Sequence, residues 1–319
     1  MAPAIVARVF CPMPLFNFSR VKIGRLKLKN PVMAASGTWG TDYLELSDAG
    51  KLGAVVLKTV TLESRTGNRS PRVCETASGM LNSIGLENKG IDDLIENKLP
   101  RLNGIRTCII ASIAGDDKRE FKELAVRLSA CKRVDAIEIN LSCPNIKYGV
   151  NEGLIAHNEK AVYTTVKAVR EATKLTLITK LSPNVTDIKV FACAAEAAGT
   201  DAIALTNTFI GMAVDINTGR PMLGNITGGL SGPAIKPMSL RAVWEATKAV
   251  DIPIIGIGGI MDYKDAIEFM LCGASAIQVG TANFVNPNST VEIVEGIEAY
   301  LKRKNIGGIG KLIGAIKLG

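Results

Sequence analysis

One histidine, His157, is all that 319 residues contain. A nucleophile served by imidazole, or a metal held by several imidazoles, would have to be built around that side chain alone, so triad and multi-histidine metal chemistries drop out as first readings. Aromatic residues are also few, with five Tyr, eight Phe and two Trp, too sparse for the interleaved platforms on which bases stack. The seven cysteines are odd in number and none forms a C-x-x-C pair. That argues against a disulfide framework and a zinc site, and no metal is expected. No stretch approaches about 18 uninterrupted apolar residues. The opening "MAPAIVARVFCPMP" has its apolar run broken by Arg8 and stopped by prolines, too short for a secretion signal. A cytoplasmic chain without membrane attachment is therefore expected.

What is present is ample apolar material, 47% of residues against 21% charged, the balance of a globular chain with a large core. The length suits two ordinary domains or one α/β barrel of about 250 residues or more. No linker or low-complexity segment divides it, so residues 1–319 read as one barrel domain. The net charge is +8, but Lys and Arg are spread along the chain and only "LKRKN" (301–305) is a tight cluster. Small anions or an acidic partner protein account for that charge as well as nucleic acid does.

Eight β-rich runs recur: "PVMAA" (31–35), "AVVLKTV" (54–60), "TCIIASIAG" (107–115), "AIEINLSCP" (136–144), "LTLITKLSP" (175–183), "AIALTNT" (202–208), "PIIGIGGI" (253–260) and "AIQVGTA" (276–282). Helical patterns lie between most of them. Phe121, Leu124, Ala125 and Leu128 share one face, Thr186 or Asp187 can cap a helix ending before Gly199, and Ser289 with Glu292 reads as a capping box. Continuous apolar strands alternating with amphipathic helices imply a parallel sheet covered by helices, and eight units close into a (β/α)8 TIM barrel. A doubly wound open sheet is the alternative. Ahead of the first run, "VKIGRLKLKN" (21–30) alternates around Gly24 and predicts an N-terminal β-hairpin at the barrel bottom. The connections 61–90, 145–158 and 209–238 are much longer than the usual two to six residues or so and all follow strands, which puts them on the face where barrels keep their sites.

The strand ends then converge on one mouth. They bring Ser36 and Gly37, Lys58 and Thr59, Asn140 and Cys143, Lys180, Thr206 and Asn207, Gly258 and Gly259, and Gly280 with Thr281. Two lysines and several carboxamides are costly to bury without partners, whereas they suit a polar planar ligand. "GIGGI" and "VGTA" can bring backbone N–H groups to a phosphate, although glycine also serves tight strand packing. Neither segment has the third glycine of a Rossmann fingerprint, and the tail "GGIGKL" is no Walker A loop because position 305 is Asn. From the long loop after strand two, "GMLNSIGLENKG" (79–90) would carry Asn82 back over the mouth toward Asn140, Asn145 and Asn207.

"NPVMAASGT", "LKTVT", "GMLNSIGLEN", "INLSCPN", "TKLSPN", "LTNT", "GGLSGPAIKP", "GIGGI" and "QVGTA" together resemble the dihydroorotate dehydrogenases, in the expected order from about residue 20 to 304. The resemblance implies an FMN-bearing barrel that oxidises dihydroorotate to orotate in pyrimidine biosynthesis. It implies Cys143 as the base, taking the C5 proton while hydride leaves C6 for flavin N5. Cysteine in that place marks the soluble classes, where the membrane-bound, quinone-linked class has serine. Substrate would be held by Lys58, Asn82, Ser83, Ile84, Gly85, Leu86, Asn140, Asn145, Asn207 and Thr208. FMN would be held by Ala35, Ser36, Gly37, Lys58, Thr59, Asn140, Lys180, Gly232, Gly258, Gly259, Gly280 and Thr281, with Lys180 beside the flavin N1/C2 carbonyl. The 145–158 connection, with Gly149 and Gly153 as hinges, is expected to close as a lid. "GRLKLKNPVMAASGT" and "GGLSGPAIKP" look most similar to class 1B, which implies a homodimer of this chain in a heterotetramer with a subunit carrying FAD and a [2Fe–2S] cluster that passes electrons to NAD. Other readings are a fumarate-linked homodimer, a flavin barrel reducing uridine in RNA, a Schiff-base barrel acting through Lys58 or Lys180, and a scaffold barrel with no chemistry.

Overall fold

The computed structural model describes residues 20–141 and 155–319. Cys143, Asn145 and the Gly149 and Gly153 of the expected lid lie outside the described residues, as does the stretch 1–19.

Eight parallel strands form a closed barrel in chain order: β1 (Val32–Ala34), β2 (Ala54–Val56), β3 (Cys108–Ile113), β4 (Ala136–Asn140), β5 (Thr176–Lys180), β6 (Ala202–Leu205), β7 (Ile254–Ile257) and β8 (Ala274–Val279). Seven lie wholly within the expected runs, and β8 starts two residues earlier than its run. The strands read as continuous apolar segments because both faces are buried. Residues such as Val55, Ile109, Ile137, Ile139 and Leu177 face outward into the layer under the helices. Their neighbours Met33, Val56, Ile110, Ile178 and Ile255 fill the barrel interior.

The hairpin pairs Val21–Ile23 with Leu26–Leu28. Its Ile23, Leu26 and Leu28 join the interior cluster, and the Arg25 backbone N–H donates to Thr176 Oγ1 at 3.0 Å, at the start of β5. The hairpin therefore closes the N-terminal end, leaving the opposite end for chemistry.

Asp117 caps the helix Lys118–Ser129, which buries the expected face, and Asp187 caps Ile188–Ala197. The expected capping box at Ser289 does not form. Asn288 precedes that helix, Ser289 Oγ donates instead to the Ala282 carbonyl at 3.1 Å, and Glu292 accepts from Asn286 Nδ2 at 3.0 Å. The short turn Ala282–Val285 supplies a nearer acceptor than the helix's own first turn. A capping box is found at Asp262 and Asp265, on the helix Tyr263–Leu271 after β7.

The connections after β2 and β6 hold more structure than loops. Phe209–Met212, Thr227–Ser231, Gly79–Asn82 and Val73–Thr76 pair in that order as a four-stranded antiparallel sheet. Gly229 opposite Asn82 fixes its register, so excursions from two distant strands are tied together above the mouth. Among the described residues, no helix is long and apolar enough to cross a membrane.

Candidate active site

At the C-terminal end of the barrel, under the four-stranded sheet, lies a cavity of about 320 Å³, a size that suits a cofactor or small-molecule ligand. Its wall takes residues from the ends of seven strands. Ala35, Ser36 and Gly37 follow β1, Lys58 and Thr59 follow β2, Asn140 and Lys180 end β4 and β5, and Asn207 and Thr208 follow β6. Gly258 and Gly259 follow β7, Gly280 and Thr281 follow β8, and the overlying sheet adds Asn82, Ile84, Gly85, Leu86 and Gly232 from its strands and their continuations.

Ser83 is set apart from this wall. Side chains alternate along an extended chain, so the neighbour of Asn82 turns the other way. Ser83 is fully buried, and its Oγ accepts from Asn68 Nδ2 at 2.9 Å.

A hydroxyl and carboxamide network orders the floor. Ser36 Oγ and Thr59 Oγ1 share a hydrogen bond of 3.1 Å, and Thr59 Oγ1 and Ser112 Oγ one of 2.9 Å. Asn140 Nδ2 donates to Thr59 Oγ1 and Asn207 Nδ2 to Asn140 Oδ1, both at 3.3 Å. Asn207 Oδ1 also accepts from the Thr208 backbone N–H at 2.8 Å. These bonds fix which way each amide faces, so the floor presents an ordered row of donors and acceptors.

The glycines divide into two kinds. Gly258 and Gly259 have φ of +123° and +72°, and a Cβ on Gly259 would stand 2.7 Å from Lys236 Cβ. They are required by backbone conformation and by packing against the helix Lys236–Ala246. Gly280 differs, because a Cβ there would meet nothing closer than the methyl carbons of Ala35 and Thr38 at 3.8 Å. The space it leaves belongs to the cavity, and it is here that a ligand can approach the backbone.

Several lining residues were not evident from sequence. Thr38, Val73, Met80, Ser231, Ile235, Ile260, Met261 and Phe284 also face the cavity. Ser231 had one local signal, its place just before Gly232 in "GGLSGP". Its Oγ accepts from Thr281 Oγ1 at 2.8 Å and so ties the overlying sheet to the end of β8. Val73 and Met80 had none, since they arrive through the unexpected sheet.

The family model for dihydroorotate dehydrogenase matches residues 19–301. This chain belongs to the dihydroorotate dehydrogenase family. The family is one of flavoproteins. The chain is 52% identical over 301 residues to the dihydroorotate dehydrogenase B (NAD(+)) catalytic subunit of Caldicellulosiruptor saccharolyticus, covering 93% of this chain and 99% of that one. The protein of the same name from Trichlorobacter lovleyi is 51% identical over 300 residues, 93% and 98% of the two chains. That from Bacteroides thetaiotaomicron is 48% identical over 301 residues, again 93% and 98%. The cavity combines Lys58 and Lys180 with the carboxamides of Asn82, Asn140 and Asn207.

Proposed function

We propose that this chain oxidises dihydroorotate to orotate in cytoplasmic pyrimidine biosynthesis, using FMN and passing the electrons to NAD through a partner subunit. The observation that carries the reading is the meeting of Lys58, Lys180, Asn82, Asn140 and Asn207 in one cavity of a chain from this family.

The residues fit FMN. The open space at Gly280 admits a ligand to the backbone, and the hydroxyls of Ser36, Thr59 and Thr281 stand on the same wall. Ala35, Ser36, Gly37, Thr59, Gly232, Gly258, Gly259, Gly280 and Thr281 would hold it, with Lys58, Asn140 and Lys180 at the border with substrate. When bound, FMN supplies a two-electron acceptor for the hydride leaving substrate C6.

The chain's own residues do the rest. Asn82, Asn140, Asn145 and Asn207 orient the amide edge and carboxylate of the pyrimidine, converting a loose encounter into a fixed geometry. Lys58 offers a positive charge to the substrate side. Lys180 offers one where a reduced flavin ring carries negative charge. Cys143 removes the C5 proton, because abstraction next to a carbonyl needs a base in reach, and a thiol with an ordinary pKa of about 8.5 can be tuned toward neutrality by cations and amides.

The names of the relatives, each a catalytic subunit of an NAD(+) enzyme, support a second subunit for this chain as well. That subunit would carry FAD and a [2Fe–2S] cluster, in a heterotetramer around a homodimer of this chain. Anaerobic titration of the purified yellow protein with dihydroorotate tests the central half-reaction. Stoichiometric bleaching of the flavin is expected, and a flavin that stays oxidised in excess dihydroorotate would refute the reading.

A further inference from the structure

The barrel interior holds a carboxylate that the reaction above does not use. Glu138 is on β4, two residues before Asn140 and therefore on the same inward face, one layer below the cavity floor. It is 0% exposed. Its neighbours in the strand register are Ser112 of β3 and Ile178 of β5, and the interior cluster of the barrel is otherwise apolar, with Met33, Ile110 and Ile255. Its Oε2 accepts from Gln278 Nε2 of β8 at 2.8 Å. Its Oε1 and the Oε1 of Gln278 accept no hydrogen bond among the described residues. The ammonium of Lys180, which is opposite Asn140 in the register of β4 and β5, stands 3.9 Å from Glu138 Oε1.

Stability gives no reason for this arrangement. A buried ion pair commonly stabilises no more than apolar side chains of the same volume, and a half-satisfied one less. The layer beneath already shows that the barrel packs well with Ile and Met. What the carboxylate does provide is a fixed anion on one side of a lysine whose other side is the cavity, itself 7% exposed.

We infer that Glu138 is a positioning residue for Lys180: Gln278 fixes the carboxylate, the carboxylate anchors the ammonium at the cavity floor, and its charge offsets part of the lysine's. With flavin in the cavity, this pair sets how strongly the reduced, electron-rich ring is favoured. The effect on the flavin rests on the FMN reading above, whereas the coupling of Glu138 to Lys180 does not.

Two measurements test it. The first is the midpoint potential of the bound flavin in wild type and in Glu138→Gln, a variant that keeps the shape and the contact with Gln278 but removes the charge. With the offsetting anion gone, the reduced-to-oxidised ratio at fixed potential should rise at least tenfold, about 30 mV for a two-electron couple. The second is a thermal-unfolding cycle on as-purified protein with Glu138→Gln, Lys180→Met and the double variant. Lys180→Met strands a buried carboxylate and should lower the melting temperature by about 5 °C or more, and by far less in the Glu138→Gln background. An unchanged potential, or equal losses in the two backgrounds, overturns the proposal. Should Glu138→Gln not yield folded protein, recovery on adding Lys180→Met supports the pair and no recovery overturns it. Wild-type protein without flavin absorbance would defeat the FMN reading alone, and the thermal cycle would still decide the pair.

Discussion

At the scale of single residues, the described thiols define what a reactive cysteine here must avoid. Burial pushes the thiols of Cys74, Cys108, Cys131 and Cys272 above their ordinary range, which keeps them protonated and inert at neutral pH. A base at Cys143 needs the opposite surroundings, and in the sequence "NLSCPN" two carboxamides, Asn140 and Asn145, flank it. Cys143→Ser should keep flavin and bind orotate but slow flavin reduction by at least about a hundredfold at neutral pH, since a serine hydroxyl is a far weaker base. The deficit should narrow as pH rises. Stopped-flow reduction under anaerobic conditions reads it directly, and a normal rate would remove Cys143 from the chemistry. The two kinds of glycine give a second residue-scale test. Gly280→Val projects into open cavity and should weaken flavin retention about tenfold or more while leaving urea unfolding of the flavin-free chain nearly unchanged. Gly259→Ala meets Lys236 at positive φ and should destabilise the chain by about 1–3 kcal/mol. Equal stability loss in both would show that Gly280 serves packing.

At the scale of elements, β7 and the helix after it are tied to the site by one carboxylate. Asp265 Oδ2 accepts from the backbone N–H groups of Met261 and Asp262 at 2.8 and 3.2 Å, and Oδ1 accepts from Lys236 Nζ at 2.7 Å. The hydrogen bond that Lys236 donates to Asp265, joined by one to Glu268, holds the Lys236 ammonium above its ordinary pKa. Being raised, that pKa marks stability present below the unfolded value near 10.5 and lost only as pH climbs through the folded one, so the tie persists at neutral pH. Asp265→Ala should cost about 2–4 kcal/mol in chemical denaturation, because two backbone donors lose their partner and the Lys236 ammonium keeps only Glu268. It should also loosen flavin binding, since Gly258 to Met261 line the cavity. A loss below about 0.5 kcal/mol would show that the turn holds itself. The same elements mark how far the sequence could be read. The eight strands were legible because burial on both faces leaves apolar runs between turn signals, and Lys58, Asn140 and Lys180 stood out as polar residues at the ends of such runs. The overlying sheet was not legible. Its strands are short, half-exposed and rich in glycine and polar residues, and their partners are distant in sequence, so nothing local signals the pairing. Ser83 was expected at the substrate only through the family resemblance, and the alternation of an extended chain turns it away from the cavity toward Asn68. Glu138 and Gln278 were hidden for a third reason. Each is a single polar residue inside an apolar run, and the hydrogen bond that explains them joins positions 140 residues apart.

At the scale of the whole molecule, the open question is where the electrons go after flavin reduction. The sequence carries no dinucleotide fingerprint, and no cysteine pair at the spacing of an iron–sulfur ligand set. No segment of the sequence is thus marked as a seat for NAD, while relatives about half identical over nearly their whole length are named as catalytic subunits of NAD(+) enzymes. A net charge of +8 would favour encounter with an acidic partner, an effect that raises association rate at low ionic strength and fades with added salt. The purified chain alone should therefore reduce artificial dyes with dihydroorotate yet leave NAD untouched. Adding an iron–sulfur flavoprotein subunit of the class 1B type should restore NAD reduction, with coupling that weakens as ionic strength rises. Efficient fumarate reduction by this chain alone, with no gain from the added subunit, would assign it to the fumarate-linked homodimers. The dihydroorotate half-reaction, which on the proposed reading needs only the cavity and Cys143, would stand in either case.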